Sequence, residues 1–143
     1  MSSSSKPKII LDTNAFISAY LFSGMENQIL NLVEEEKLIL YFSNDLANEV
    51  IYKLNTKFKA EIISEIFVLF VNEFGIYFQP KTKLELCRDP KDNFLLDLCL
   101  ESQADFLITR DKDLLELNSN SLFVTKVLKP EEFLPLLRKV KVS

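Results

Sequence analysis

Five short apolar runs alternate with longer amphipathic ones, and this alternation limits what the chain can fold into more than any other feature. Residues 8–11 (K-I-I-L), 38–42 (L-I-L-Y-F), 76–78, 104–109 (A-D-F-L-I-T) and 122–125 are too short to be helices. They read as buried strands, because a strand covered on both faces loses the apolar–polar alternation of a half-exposed one. Residues 15–21, 25–36, 44–53, 59–74, 93–101, 111–117 and 131–138 carry helical spacing between them. Strand–helix alternation of this kind implies an α/β fold, a three-layer α/β/α sandwich around a parallel five-stranded sheet. In such a sheet the crossovers are right-handed and sites gather outside the carboxyl ends of the strands.

Local signals punctuate the pattern. Asp12-Thr13-Asn14 can cap the first helix, and Ser43 the third. Ser23-Gly24 interrupts the first helical stretch, and Gly75 marks the end of the helix over 59–74. That helix is expected to pack through Ile62, Ile63, Ile66, Phe67, Leu69 and Phe70. Asp89-Pro90-Lys91-Asp92 places Asp at the N-cap, Pro at the first helical position and Asp at the third, a strong helix start. The helix body that follows is apolar on most sides and should be largely buried. Its polar strip is Asn93, Asp97 and Glu101. Asp97, like Asp105, is expected to face solvent.

With 143 residues the chain favours one domain, expected over 8–143, behind a disordered Ser-rich tail over 1–7. Two Gly and five Pro argue against a turn-rich all-β fold. The complete lack of His removes imidazole acid–base catalysis, Ser/His triads and His-containing zinc sites. Cys87 and Cys99 have no zinc spacing, and Cys99 lies in an apolar run that predicts a buried free thiol. A reducing cytoplasm fits that usage. The opening M-S-S-S-S-K has no apolar core of a secretory signal, and no run reaches membrane length, so no membrane partner is expected. The formal net charge of −4 gives no global basic field for nucleic acid.

The acids are concentrated where the fold would expose a site. Asp12 follows the first strand, Glu49 lies in the helix after the second, Asp92 in the helix before the fourth, and Asp111 just after the fourth. Taken singly, each has an ordinary role. Asp12 serves equally well as a cap or a catalytic acid; Glu49 reads as a solvated helix residue; Asp89 is most simply a cap. Asp92 would stabilise the helix dipole by roughly 0.3–1 kcal/mol. The run Thr109-Arg110-Asp111-Lys112-Asp113 is dense in oxygen ligands, although one Asp of the pair could cap a short helix and the interleaved cations could pair with the acids. Converging carboxylates are costly when empty: two charges about 4 Å apart repel by roughly 4 kcal/mol at an effective dielectric near 20. Mg²⁺ or Mn²⁺ relieves that repulsion using carboxylate and water oxygens alone. A cation held in this way supports phosphodiester hydrolysis.

Four blocks, I-I-L-D-T-N-A-F-I-S-A-Y, S-N-D-L-A-N-E-V, C-R-D-P-K-D-N-F-L-L-D-L-C and A-D-F-L-I-T-R-D-K-D-L-L, resemble the blocks of a PIN domain in order and spacing. The branch they most resemble is the small bacterial VapC-type proteins, toxin components of toxin–antitoxin systems. The resemblance implies a PIN-like fold and a Mg²⁺- or Mn²⁺-dependent ribonuclease. It carries the acidic pocket onto Asp12, Glu49, Asp92 and Asp111. Asp12, Asp92 and Asp111 are expected to hold metal, with Asp113 as an additional acid and Glu49 at a second ion or at the nucleophile. Asn14 and Thr109 match supporting polar residues, and Asp89 supports by aiming Asp92. The resemblance also implies RNA as substrate, a small antitoxin as partner and a homodimer, for which Phe16, Tyr20, Leu21 and Phe22 could supply a face, though core burial explains them equally well.

Arg110 stands where many members of the family carry a small residue. It could contact substrate phosphate, or pair with a pocket acid and keep the site closed. An acidic chain that binds RNA needs a local basic rim, for which Arg88, Lys91, Arg110 and Lys112 are candidates, with Lys53 and Lys57 farther out. Two other readings compete: a non-catalytic PIN-like module that binds RNA or protein, and an α/β phosphatase or receiver-like protein. An aspartyl phosphatase usually wants a second Asp two residues after the first, where Asn14 stands. A receiver wants an acid pair near the first strand and a phosphoacceptor after the third, and the sequence has neither.

Overall fold

The computed structural model describes residues 5–80, 93–120 and 123–142, with the backbone alone over 138–142. Five strands form one parallel sheet: β1 (Lys8–Leu11), β2 (Ile39–Phe42), β3 (Gly75–Tyr77), β4 (Phe106–Ile108) and β5 (Lys126–Leu128). Their order is β3-β2-β1-β4-β5, so the chain builds outward in one direction from β1 and then returns to build outward in the other. The reversal opens a crevice between the carboxyl ends of β1 and β4, where open α/β sheets place their sites.

Among the described residues, seven α-helices flank the sheet: α1 (Thr13–Leu21), α2 (Met25–Glu34), α3 (Asn44–Thr56), α4 (Glu61–Phe74), α5 (Asn93–Ser102), α6 (Lys112–Leu115) and α7 (Pro130–Val142). The result is the expected three-layer α/β/α architecture. α1 packs on α2 and α3, α3 on α4, and α2 on α7. Ile9, Ile10, Leu11, Leu40, Leu107, Ile108 and Val127 have no solvent exposure, as strands covered on both faces require. Phe16 of α1 enters the core against Phe67 of α4, with ring centroids 5.1 Å apart and planes at 76°. The helix starts follow their caps. Asp12 takes the amide of Ala15 at 2.8 Å, and Ser43 that of Leu46 at 3.3 Å.

Several expectations are corrected. The fifth strand is Lys126–Leu128, displaced from the more apolar 122–125. Val124 is 94% exposed, and Thr125 turns inward to donate its hydroxyl to the Ala104 carbonyl at 2.8 Å. Asn118 then serves the edge of β5, which has no further neighbour strand among the described residues. Its side chain accepts from the Val127 amide at 2.9 Å and donates to the Val127 carbonyl at 2.7 Å. Asp97 is buried rather than solvent-facing. Gly75 does end α4, but in extended backbone with φ −91°, so it is not a left-handed cap. Space is what requires glycine there: a Cβ would lie 2.8 Å from both the Phe42 ring and the Val71 carbonyl oxygen. α4 buries Ser64, Phe67 and Val71, leaving Ile62 and Leu69 at its surface. The Asp89 cap, the Pro90 start and Cys87 lie outside the described residues. Cys99 is buried as expected, and burial pushes its thiol pKa up to about 12. Among the described residues, no helix is long and apolar enough to cross a membrane.

Candidate active site

The register of β1 on β4 creates the site. Ile9, Ile10 and Leu11 pair with Phe106, Leu107 and Ile108, and the ladder ends where the Asp12 amide donates to the Ile108 carbonyl at 3.2 Å. Asp12 and Thr109 therefore leave the sheet side by side, although 97 positions separate them in sequence. The Thr109 hydroxyl donates to Asp12 Oδ2 at 2.5 Å, while Asp12 Oδ1 accepts the Ala15 amide. Asp12 is thus both a helix cap and a carboxylate anchored on each oxygen.

Thr109 has no solvent exposure and works in two directions. Its oxygen also accepts the Asp111 amide at 2.9 Å, which fixes the turn that presents Asp111. Asp111 in turn caps α6 by accepting the Asp113 amide at 2.8 Å. Burial is the main influence on Asp12, which is only 6% exposed, and pushes its carboxyl pKa up to about 6. The bonds from Thr109 and Ala15 oppose that rise, and the charges of Asp111 and Glu26 add to it. An anion so poorly hydrated, with a second carboxylate beside it, suits a hard cation better than an empty cavity.

A cavity of about 190 Å³ opens above these groups, lined by Asp12, Asn14, Ser18, Glu26, Arg110 and Asp111, with Ala15 at its wall. Asn14 is exposed on this lining. Glu49 is not part of it. Its Oε1 accepts the Thr13 hydroxyl, tying α3 to the first turn of α1 one residue beyond Asp12. Asp113 likewise stands outside the lining, and Lys112 is exposed. Asp92, Asp89, Arg88 and Lys91 lie outside the described residues. Among the described residues, no three potential metal-ligating side chains converge on one point. Asp12 and Asp111 nevertheless offer the oxygen-only chemistry that Mg²⁺ or Mn²⁺ prefers, so the donor set fits such an ion.

Sequence reasoning missed Glu26. It is 6% exposed in the first turn of α2, and its Oε2 accepts Arg110 Nε at 2.9 Å. Arg110 also donates from Nη1 to Glu131 Oε1 at 2.7 Å. Arg110 therefore pairs with a pocket acid, one of the two roles open to it. Hydrogen bonding to Glu26, opposed by some burial and reinforced by both carboxylates, raises the pKa of its guanidinium. In sequence, Glu26 looks like an ordinary acid at a helix start; the one available signal is its place two residues after Gly24 of the Ser23-Gly24 break. A larger cavity of about 580 Å³, walled partly by Pro7, Leu32, Leu134 and Leu137, lies away from the carboxyl ends of the strands. Asp12 and its partners are absent from that lining, so we place the chemistry in the smaller one.

Residues 8–113 match the PIN domain family. An uncharacterised protein of Methanocaldococcus jannaschii, MJ1680, is 33% identical over 141 residues, covering 90% of each chain. Among solved structures, VapBC2 of Rickettsia felis, bound to a DNA fragment from its promoter, superposes with a TM-score of 0.59 at 14% identity. That match covers 85% of this chain and 97% of the other. The PIN domain of RRP44 from T. brucei superposes with a TM-score of 0.55 at 13% identity, covering 96% of this chain and 84% of the other.

Proposed function

The chain belongs to the PIN domain family, and from that premise we propose that it is a divalent-metal-dependent endoribonuclease. PIN domains are generally nucleases that depend on such ions. The observation that carries the reading here is Asp12, a buried, high-pKa carboxylate held on both oxygens at the β1–β4 crevice. Asp12 and Asp111 would hold Mg²⁺ or Mn²⁺, with Asp92 as a third ligand and Asp113 as an outer acid. The bound ion would supply charge that activates a water and offsets the negative charge developing on the scissile phosphate.

The chain's own residues prepare that step. Thr109 and the Ala15 amide fix the direction of the Asp12 lone pairs, so little reorganisation accompanies the reaction. Through Thr13, Glu49 stands close enough to this turn to steer α1, and in our reading orients the nucleophile or a second ion. Asn14 lines the mouth of the cavity, where substrate would pass. Lys112, with Arg88 and Lys91, would supply local positive charge for the RNA backbone in a chain whose net charge is −4.

We read the biological setting as the toxin of a cytoplasmic toxin–antitoxin pair, inhibited by a small protein partner and active as a homodimer. Support for the setting is the block resemblance to VapC-type proteins. Co-purification with the product of an adjacent small open reading frame tests it. The catalytic reading is tested by RNA cleavage with Mg²⁺ or Mn²⁺, comparing wild type with Asp12→Asn and Asp111→Asn. We expect cleavage to need the metal, and Asp12→Asn to lose more than the roughly 10–100-fold typical of changing a residue that only supports a ligand. Cleavage by Asp12→Asn at the wild-type rate would sink the proposal.

A further inference from the structure

Three carboxylates line the cavity, Asp12, Glu26 and Asp111, yet among the described residues no three ligating side chains converge. Glu26 is already engaged. Its side chain is only 8% exposed, and its Oε2 is held by Arg110 Nε at 2.9 Å. Arg110 is half exposed and is held from the outer side by Glu131 Oε1 at 2.7 Å. A guanidinium can serve two carboxylates at once because its N–H groups form a rigid planar fork. The pocket thus contains a buried acid neutralised by an internal cation, and that cation is anchored to α7.

We propose that Arg110 is a latch that withholds Glu26 from the cation site. With the latch engaged, the described part of the pocket offers a divalent ion Asp12 and Asp111. With the latch released, the Glu26 carboxylate is free to turn into the cavity it already lines and becomes an additional oxygen ligand. Arg110 is then a positioning residue that sets how tightly, or how many, divalent ions are held. This rests on the reading of the pocket as a divalent-cation site and adds to it a residue that limits occupancy. The pairing also explains how Glu26 can be buried next to Asp12: without a cation, its charge would face that of a carboxylate already short of hydration.

The test is Mn²⁺ titration by calorimetry on the full chain, free of other metals, for wild type, Arg110→Ala, Arg110→Ala/Glu26→Gln and Arg110→Ala/Glu131→Gln. Arg110→Ala should bind Mn²⁺ on the order of tenfold more tightly, or take up an additional ion, because it removes a positive charge and frees a carboxylate ligand, and ligand charge count tunes divalent-cation affinity. Glu26→Gln should erase that gain, and Glu131→Gln should leave it intact. Binding by Arg110→Ala that equals wild type overturns the latch. A gain that survives Glu26→Gln overturns it too. Equal erasure by both Gln substitutions also overturns it, since bulk charge alone would then account for the gain. Thermal melts verify folding, and Arg110→Gln replaces Arg110→Ala if the latter does not fold. A Glu26-dependent gain in a protein that cuts no RNA would support the latch and sink the nuclease reading. Metal-dependent, Asp12-dependent cleavage without the gain would do the reverse.

Discussion

The two sides of the cavity are built by different physics. On the sheet side, Asp12, Thr109 and Asp111 are short side chains held by backbone amides and by one buried hydroxyl. Their positions follow from strand register, and little rotamer freedom remains to be lost. On the rim, Glu26, Arg110 and Glu131 are long side chains that hold one another across three separate segments. Ion pairs that reach water are screened and give back much of their Coulomb energy in side-chain entropy. The sheet side should therefore govern stability and geometry, while the rim should tune charge at little cost to the fold.

The sharpest way to break this contrast is Thr109→Val, which keeps the shape and removes the hydroxyl. The Asp12 carboxylate loses a donor and the Asp111 amide an acceptor, so we expect a loss of about 1–3 kcal/mol in denaturant unfolding. Metal affinity should fall roughly 10–100-fold. A Thr109→Val protein as stable as wild type would show that the register alone holds the site.

Next is the pH response of the metal-free protein. The Asp12 pKa is raised from 3.8 to about 6 on folding. Within that interval the native state binds more protons than the unfolded chain, so the stabilising contribution is complete below pH 3.8 and lost as pH rises through about 6. Lowering the pH from 7.5 to 5 should stabilise wild type by about 1–1.5 kcal/mol relative to Asp12→Asn, measured as the difference between their unfolding free energies. Parallel pH profiles for the two proteins would remove burial as the controlling influence on Asp12.

The rim should respond more weakly. Arg110→Ala/Glu26→Gln, which removes both charges of the pair and leaves no buried carboxylate unpaired, should cost no more than about 1 kcal/mol, since the Arg110 guanidinium is half in water. The cost should shrink between 0.1 and 1 M salt, by about the change expected when the Debye length falls from roughly 10 to 3 Å. The Thr109→Val deficit should not change with salt. Glu131→Gln, on the outer side of the fork, should shift stability by no more than about 0.5 kcal/mol. A salt-insensitive loss for the Arg110–Glu26 pair would place the rim in the same class as the sheet side.

How far each region was legible follows from the same distinction. K-I-I-L-D-T-N shows a strand, its end and a cap within seven residues, so β1, α1 and the position of Asp12 could be read directly. The Ser43 cap and the α3 start were legible for the same reason. β5 was not, because K-V-L carries less apolar signal than 122–125 and is chosen by its pairing with β4. Helix α4 is apolar nearly all round, so periodicity alone could not tell which stripe is buried. Asp97 was misplaced because a polar spacing of four marks a face without saying what packs against it. Glu26 was invisible because its partner Arg110 is 84 positions away.

The sequence by itself determined most of the elements, their alternation, the parallel sheet and the carboxylates at the strand ends. Those depend on period, on caps and on residue type, all of which act over a few neighbours. Only the tertiary structure decided that Thr109 holds Asp12, that Glu49 answers to Thr13 and that Arg110 closes on Glu26 and Glu131. These contacts span 97, 36, 84 and 21 positions. No local pattern encodes them, because each pair is joined by strand register or helix packing that the intervening chain completes.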